Sequence, residues 1–301
     1  MRVALWVDME GTSQIMDHRE CWPAFVHYWE YGRPKLANDV VATARGLLAG
    51  GVTEVVVVNA HGLGWPNILT DALPSGAKLA IADDWNRDID ATFQVGFHAR
   101  AGTSGGFISH TMVPDLTVSV DGKAVTESHI WSWVTGVPVL GIVGDDALKA
   151  QLDGTLKDIR FLAVKISTGR TQTRPVFSDA RQSAEAIEKF AKECAQEKLR
   201  KQPDLPPRFT AHITIKPEFA KEVAQQHGLK LIKPGVIEIE AKRWAKDVQP
   251  VLEHAMGVAS SPWIEAWKDL DLGSKEALQR QDAESIERLR QKFINWAEEN
   301  R

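Results

Sequence analysis

Two apolar runs, residues 3–7 (Val-Ala-Leu-Trp-Val) and 55–58 (four valines), constrain the fold more than any other feature of the chain. Neither alternates with polar residues, and the second is β-branched throughout, so both suit strands buried on two faces. Between them Leu36, Val40, Val41, Ala44, Leu47 and Leu48 recur at helical spacing, and Gly50-Gly51 supplies a stop. Strand, helix and strand in that order form a βαβ unit of a parallel sheet, and open α/β sheets bind ligands along the rim at their carboxyl ends. Both runs deliver polar clusters to that rim: Asp8-Met9-Glu10-Gly11 and Asn59-Ala60-His61-Gly62. Residues two apart in an extended chain point the same way, so Asp8 and Glu10 aim at one spot. Two carboxylates that close raise one another's pKa unless a cation sits between them. A divalent metal answers that need; the plainer alternative is a loop of solvated carboxylates.

The pattern continues along the chain. Residues 12–33 read as a polar, aromatic loop beside the site, with a short helix ending near Gly32-Arg33-Pro34. Short strands are expected at 78–82, ending in Asp83-Asp84, and at 91–95, ending in Gly96-Phe97-His98-Ala99-Arg100. A Gly/Ser loop leads to His110, and Asp121-Gly122 marks a hairpin between 116–120 and 123–125 that delivers Glu127 to the start of a helix. Strands follow at 137–143 and 159–166, with Asp145 and Asp146 as helix caps between them. An amphipathic helix at 184–199, a linker at 201–208, and strands 209–215 and 236–241 around a helix at 217–226 complete the body. The expected class is α/β: a mostly parallel sheet flanked by helices, a second, smaller α/β domain and a C-terminal helical extension. The expected division is 1–167 for a metal-binding catalytic domain, 168–260 for the smaller domain and 261–301 for the tail. The tail carries a narrow stripe of Leu278, Ile286, Leu289, Phe293 and Trp296 suited to a neighbouring helix or subunit, hence an assembly element.

Composition narrows the partners. A net charge of -4 with no clustered Lys/Arg gives no reason to expect nucleic acid. Two distant cysteines, Cys21 and Cys194, exclude a disulfide framework and a thiolate zinc site, and fit a reducing compartment. The N-terminal apolar run is cut at Asp8, too short for a signal peptide, and no window is apolar enough to span a membrane. A cytoplasmic location is the expectation.

Nine histidines are present. His227 and His254 read as structural, His212 as strand packing, His129 as ambiguous, and His18 and His27 as loop residues able to touch a substrate. His61 and His98 differ because each lies just past an apolar strand at the rim that carries Asp8, and Glu127 reaches the same rim. Three carboxylates and two imidazoles favour zinc, with manganese or cobalt as alternatives, over calcium. Five ligands exceed what one catalytic zinc uses and suit two metals sharing a carboxylate.

Asp8-Met-Glu-Gly11, Asn59-Ala-His61, Gly96-Phe-His98-Ala-Arg100, Ser109-His110-Thr-Met112 and Glu127 after the Asp-Gly turn occur in this order. The set resembles the metal-dependent D-aminopeptidases of the DppA type, peptidase family M55, from Met1 to about Ser167, and more weakly beyond, at Lys165 and Arg170. The resemblance implies two zinc ions: Asp8 bridging, Glu10 and His61 on one, His98 and Glu127 on the other, with His110 as the catalytic histidine. It also implies a homo-oligomer, with a decameric, self-compartmentalising ring as one form. Three departures alter the walls. Asn59-Ala60-His61 stands where the family often has Asp-Ser-His, the run Glu127-Ser-His-Ile-Trp131-Ser-Trp133 stands where the family usually has a small residue and Asn after the last ligand, and the loop between His98 and His110 is one residue longer.

The chemistry that follows is amide hydrolysis of a small peptide or amide by metal-activated water, with His110 moving the proton or hydrogen-bonding the oxyanion. Arg100 is a candidate anchor for a substrate carboxylate, or an ion-paired structural arginine. Trp65, Trp131 and Trp133 either line an aromatic pocket or pack in the core. An aminopeptidase on short peptides, including D-residues, leads. An amidase or deacylase on amino-acid amides or N-acyl compounds keeps the same metals. A non-catalytic metal-binding assembly protein would bind metal without chelator-sensitive hydrolysis.

Overall fold

A computed structural model describes residues 1–62, 65–81, 88–152, 159–199, 205–267 and 274–299, with side chains left aside at 261–267. The main sheet is built on β1 (Arg2–Val7), which pairs in parallel with β2 (Glu54–Asn59) on one side and β4 (Ala91–Phe97) on the other. β3 (Ala77–Leu79) extends it beyond β2; β7 (Val139–Asp145) and β8 (Phe161–Gly169) extend it beyond β4. The antiparallel β9 (Gln172–Pro175) closes that edge, giving seven strands in the order β3-β2-β1-β4-β7-β8-β9. Alternate residues of each apolar run go to opposite faces. Val3, Leu5, Val7, Val55 and Val57 join one core with α1 (Val26–Ala49) and α4 (Ala180–Gln196). Ala4, Trp6 and Val58 join the other with α3 (Asp146–Leu152) and Trp131 of α2 (Glu127–Thr135). Burial on both sides is why neither run alternates.

The second sheet is antiparallel, in the order β11-β12-β10-β5-β6. Its strands are β5 (Thr117–Val120), β6 (Lys123–Ala124), β10 (Phe209–Thr214), β11 (Lys230–Lys233) and β12 (Val236–Ala241). It packs on α5 (Pro217–His227), a π-helical turn at Trp244–Val248 and α6 (Gln249–Trp267). The Asp121-Gly122 hairpin forms as expected, but β5 pairs with β10 and so belongs to this sheet. Conversely β8, β9 and α4 belong to the main sheet side, and the expected division at 167 falls inside β8. The sheets are thus interleaved along the chain.

Three local readings change. Instead of a loop with a short helix, α1 starts at Val26 and runs through Pro34. A proline inside a helix forfeits a backbone bond and costs about 3 kcal/mol; burial of Trp29 and Leu36 on either side offsets it. β3 ends at Leu79, and Asp83-Asp84 lie outside the described residues, as do 201–204 of the expected linker. Among its described residues the tail holds the end of α6 and two more helices, α7 (Lys275–Gln279), capped by Ser274, and α8 (Ala283–Glu299). The stripe of α8 is buried against its own chain: Phe293 lies 3.9 Å from the Trp22 ring and 5.7 Å from Phe25. Arg290 Nε donates to Ala24 O, and Lys275 pairs with Glu30. No helix among the described residues is long and apolar enough to cross a membrane.

Candidate metal centre

The register of the central strands brings the polar clusters together. Val7 lies opposite Asn59 on β2 and Val95 on β4, so Asp8 emerges between the turns that carry His61 and His98. Asp8 N donates to Val95 O, Gly11 N to Gly96 O and Ala60 N to Val7 O, tying the three turns into one rim. Gly96 makes that approach feasible. Its φ is +79°, and a Cβ there would sit 2.0 Å from Asp8 O. Gly96→Ala combines a strained φ with a backbone clash, each costing on the order of 1–3 kcal/mol. We expect urea unfolding of this variant to show a loss of about 2 kcal/mol or more.

Glu127 arrives by a different route. Thr126 caps α2, its side chain accepting from His129 N, while His129 Nδ1 accepts from Thr126 N; this capping box fixes Glu127 in the first turn. Glu127 Oε1 accepts from Met112 N at 2.5 Å. The ambiguous His129 is thereby a structural residue, its pKa pushed down to about 4 by burial and by Arg100.

Six side chains converge. His98 Nε2 lies 3.3 Å from Asp8 Oδ2 and 3.8 Å from Glu127 Oε1, His61 Nε2 lies 3.5 Å from Glu10 Oε1, and His110 Nε2 lies 3.9 Å from Glu127 Oε1. Asp8, His98 and Glu127 each offer a ligand atom within 4.8 Å of the others, and so do Glu10, His98 and His110. The tautomers give the cluster its meaning. His98 Nδ1 meets Ala99 O at 2.8 Å and His110 Nδ1 meets Ile108 O at 2.9 Å. A carbonyl only accepts, so both Nδ1 atoms carry a proton, and in the neutral form of each ring the Nε2 lone pair faces the carboxylates. Asp8 Oδ2 and His98 Nε2 are buried without a hydrogen bond. Lone pairs aimed at one another from a carbonyl-anchored imidazole and a carboxylate are the donor set of a cation site.

Electrostatics agree. Burial, then the charges of Glu10 and Glu127, raise Asp8 well above the ordinary carboxylate range. Burial also opposes ionisation of Glu10, but His61, followed by His98 and His110, outweighs it and holds Glu10 well below that range. Burial and His98 lower His110, against the pull of Glu127 and Glu10. Lys165 is fully buried, donates through Nζ to Glu10 O at 2.5 Å, and is pushed down to about 8 by burial. It pins the Glu10 backbone.

The remaining expected residues divide. Trp131 stacks on Trp6 at 4.3 Å and lines the cavity of about 380 Å³ over the carboxylates. Trp65 is buried behind the site, edge-on to Trp29, which in turn lies 5.8 Å from the His61 ring. Trp133 packs on Trp244 in the second core. Arg100 is absent from the walls of this cavity and of the one beside it. Asn59 Oδ1 accepts from His61 N and Gly62 N, so it caps the turn that presents His61. His18 faces Phe293 at 5.6 Å and His27 faces Tyr31 at 4.9 Å, and neither lines the cavity over the carboxylates.

Trp22, from the loop expected beside the site, also walls the cavity, and so do Met256 and Trp296, which the sequence does not point to. Trp296 lies edge-on to His110 at 5.8 Å, with the Arg170 guanidinium 4.4 Å over its ring. The stripe on α8 was the available signal; nothing local names the surface it covers.

The family model for peptidase M55, described as D-aminopeptidase, matches residues 1–252. No curated protein gives a significant match. Among solved structures the chain is similar to the Zn-dependent D-aminopeptidase DppA from Bacillus subtilis, described as a self-compartmentalizing protease. The similarity has a TM-score of 0.73 at 22% identity, covering 85% of this chain and 98% of that one. It extends to the fold: the same mixed α/β architecture with a mostly parallel sheet and a second antiparallel one.

Proposed function

The chain belongs to the D-aminopeptidase family, peptidase M55, and from that premise we propose that it is a dinuclear zinc aminopeptidase acting on short peptides. Asp8, Glu10, His61, His98 and Glu127 would hold the two ions, with Asp8 shared between them. The carrying observation is the contact of Asp8 Oδ2 with His98 Nε2 at 3.3 Å, both atoms buried without a hydrogen bond and the other ring nitrogen of His98 turned to Ala99 O. When bound, the metals supply Lewis acidity, polarising a carbonyl and lowering the pKa of water.

The protein supplies the rest. His110, anchored through Nδ1 to Ile108 O and held below its ordinary pKa, presents a neutral Nε2 at neutral pH, which can take a proton and return it to the leaving amine. Trp22, Trp131 and Met256 form an apolar chamber for the first residue's side chain and exclude water from the carboxylates. Acceptance of D-residues, assembly into a closed oligomer like that of the DppA protein, and a cytoplasmic location belong to this proposal.

Chelation by EDTA followed by gel filtration is expected to abolish release of N-terminal residues. Zinc, manganese or cobalt should restore it, and metal analysis should find two ions per chain. The melting temperature should fall on chelation, because a ligand bound only by the folded state stabilises it. A panel of D- and L-dipeptides, amino-acid amides and N-acyl amino acids tests the substrate class. Turnover confined to the N-acyl compounds would replace the aminopeptidase reading with the deacylase one, and bound metal without chelator-sensitive hydrolysis of any of them would mark a binding protein.

A further inference from the structure

Two cavities meet at His110. The apolar chamber over the carboxylates is one; the other, about 640 Å³, is lined by Ser109, Asp115, Arg170, Thr214 and Lys216. His110 and Trp296 line both. Trp296 therefore stands where the two chambers join. It comes from α8, which lies beyond residue 252, where the family match ends.

The second chamber differs in charge. Arg170 and Lys216 line it against the single carboxylate of Asp115, which sits 3.4 Å from Lys216 Nζ. Lys292, also on α8, is near enough for Lys216 to depress its pKa further after burial. Arg170 is the best-placed cation. Its guanidinium carbon lies 4.4 Å from the centre of the Trp296 ring, and Nη1 donates to Ser109 O at 3.0 Å, one residue from His110. The His110–Trp296 and Trp296–Arg170 separations, 5.8 Å and 4.4 Å, place Arg170 within at most about three residues of extended chain from His110.

We infer that the cationic chamber is the leaving-group side of the active site. There Arg170, held in position by Trp296, reads the free C-terminal carboxylate of a di- or tripeptide. The inference rests on the proposed aminopeptidase activity and names its substrate class. A carboxylate paired with a fixed guanidinium gains a charge-assisted hydrogen bond that an amide or a continuing chain does not. The extension α8 is thus a specificity element: it adds the ring that orients Arg170 and narrows the passage between chambers.

The test compares kcat/KM of the zinc-loaded enzyme for a dipeptide, its C-terminal amide and a pentapeptide of the same N-terminal residues. The dipeptide should be preferred over the amide by about tenfold or more, the discrimination expected of a hydrogen bond to a charged group. Arg170→Gln should reduce that preference to about twofold, and Arg170→Lys should restore part of it. Trp296→Ala should lower the preference and raise the relative rate on the pentapeptide, whereas Trp296→Phe, which keeps the packing on Trp22 and Phe293, should stay close to the parent. Equal rates on dipeptide and amide, or an Arg170→Gln variant that slows both alike, would overturn the inference while leaving the aminopeptidase reading intact. Absence of turnover on every free-amine peptide would instead overturn that reading.

Discussion

Asp8→Asn is expected to empty the metal centre and to reduce kcat/KM by well over a hundredfold. Partners one bond removed from a metal ligand already cost about 10–100-fold when altered, and Asp8 is proposed to be shared by both ions. The more discriminating expectation concerns stability. In the metal-free protein, burial and the charges of Glu10 and Glu127 raise the pKa of Asp8. The folded state therefore favours its protonated form, and ionised Asp8 costs stability once the pH exceeds its unfolded value. An asparagine removes that cost. At pH 7 the metal-free variant should melt no lower than the metal-free parent, while the gain on adding zinc, large in the parent, should shrink or vanish. Paired thermal scans with and without zinc measure both. A metal-free variant that melts much lower than its metal-free counterpart would make Asp8 a structural residue and remove it from the ligand set.

The rim on which this rests was legible in the sequence because it follows from local rules. Runs that do not alternate become strands buried on both faces, and a parallel βαβ unit puts their ends on one side; Asp8, His61 and His98 need nothing more to become neighbours. Glu127 was legible through Asp121-Gly122, which sets the hairpin that precedes it. What could not be read was pairing over distance. The hairpin looks the same whether it joins the main sheet or pairs with β10, some ninety residues later in the chain, as it does. Hence the expected boundary at 167 cuts a strand, and the body consists of interleaved sheets.

Three further positions show the same limit of local reading. Pro34 signals a helix boundary locally, but α1 continues through it because Trp29 and Leu36 are both fully buried. The stripe of α8 shows that the tail must bury Phe293 and Trp296, and an unknown partner is as good a reading as Trp22 and His110 until the fold places them. Arg100 was singled out by adjacency to His98, yet a side chain one or two residues past a ligand leaves the turn in its own direction. Arg170, far along the chain, is the arginine that faces His110's chamber.

His110→Ala should lower kcat by about 10²–10⁴-fold, the contribution of a positioned proton-transfer group, with little change in KM and no loss of metal. The metal measurement carries weight because geometry admits a rival role. His110 shares a potential ligand group with Glu10 and His98, and its Nε2 is 3.9 Å from Glu127. A ligand would show itself by the loss of about one ion per chain. A proton carrier leaves the two ions in place, since the five other side chains still converge. His110→Gln sharpens the distinction further. Its amide can hydrogen-bond a developing oxyanion but cannot accept and return a proton at neutral pH, so recovery of activity relative to alanine would favour oxyanion stabilisation. Equal loss in both variants, with metal content unchanged, is the outcome expected of proton transfer. A fully active His110→Ala enzyme would remove the residue from the chemistry altogether. The stacking of His110 on His98 at 4.4 Å would then be left as packing that orients a ligand.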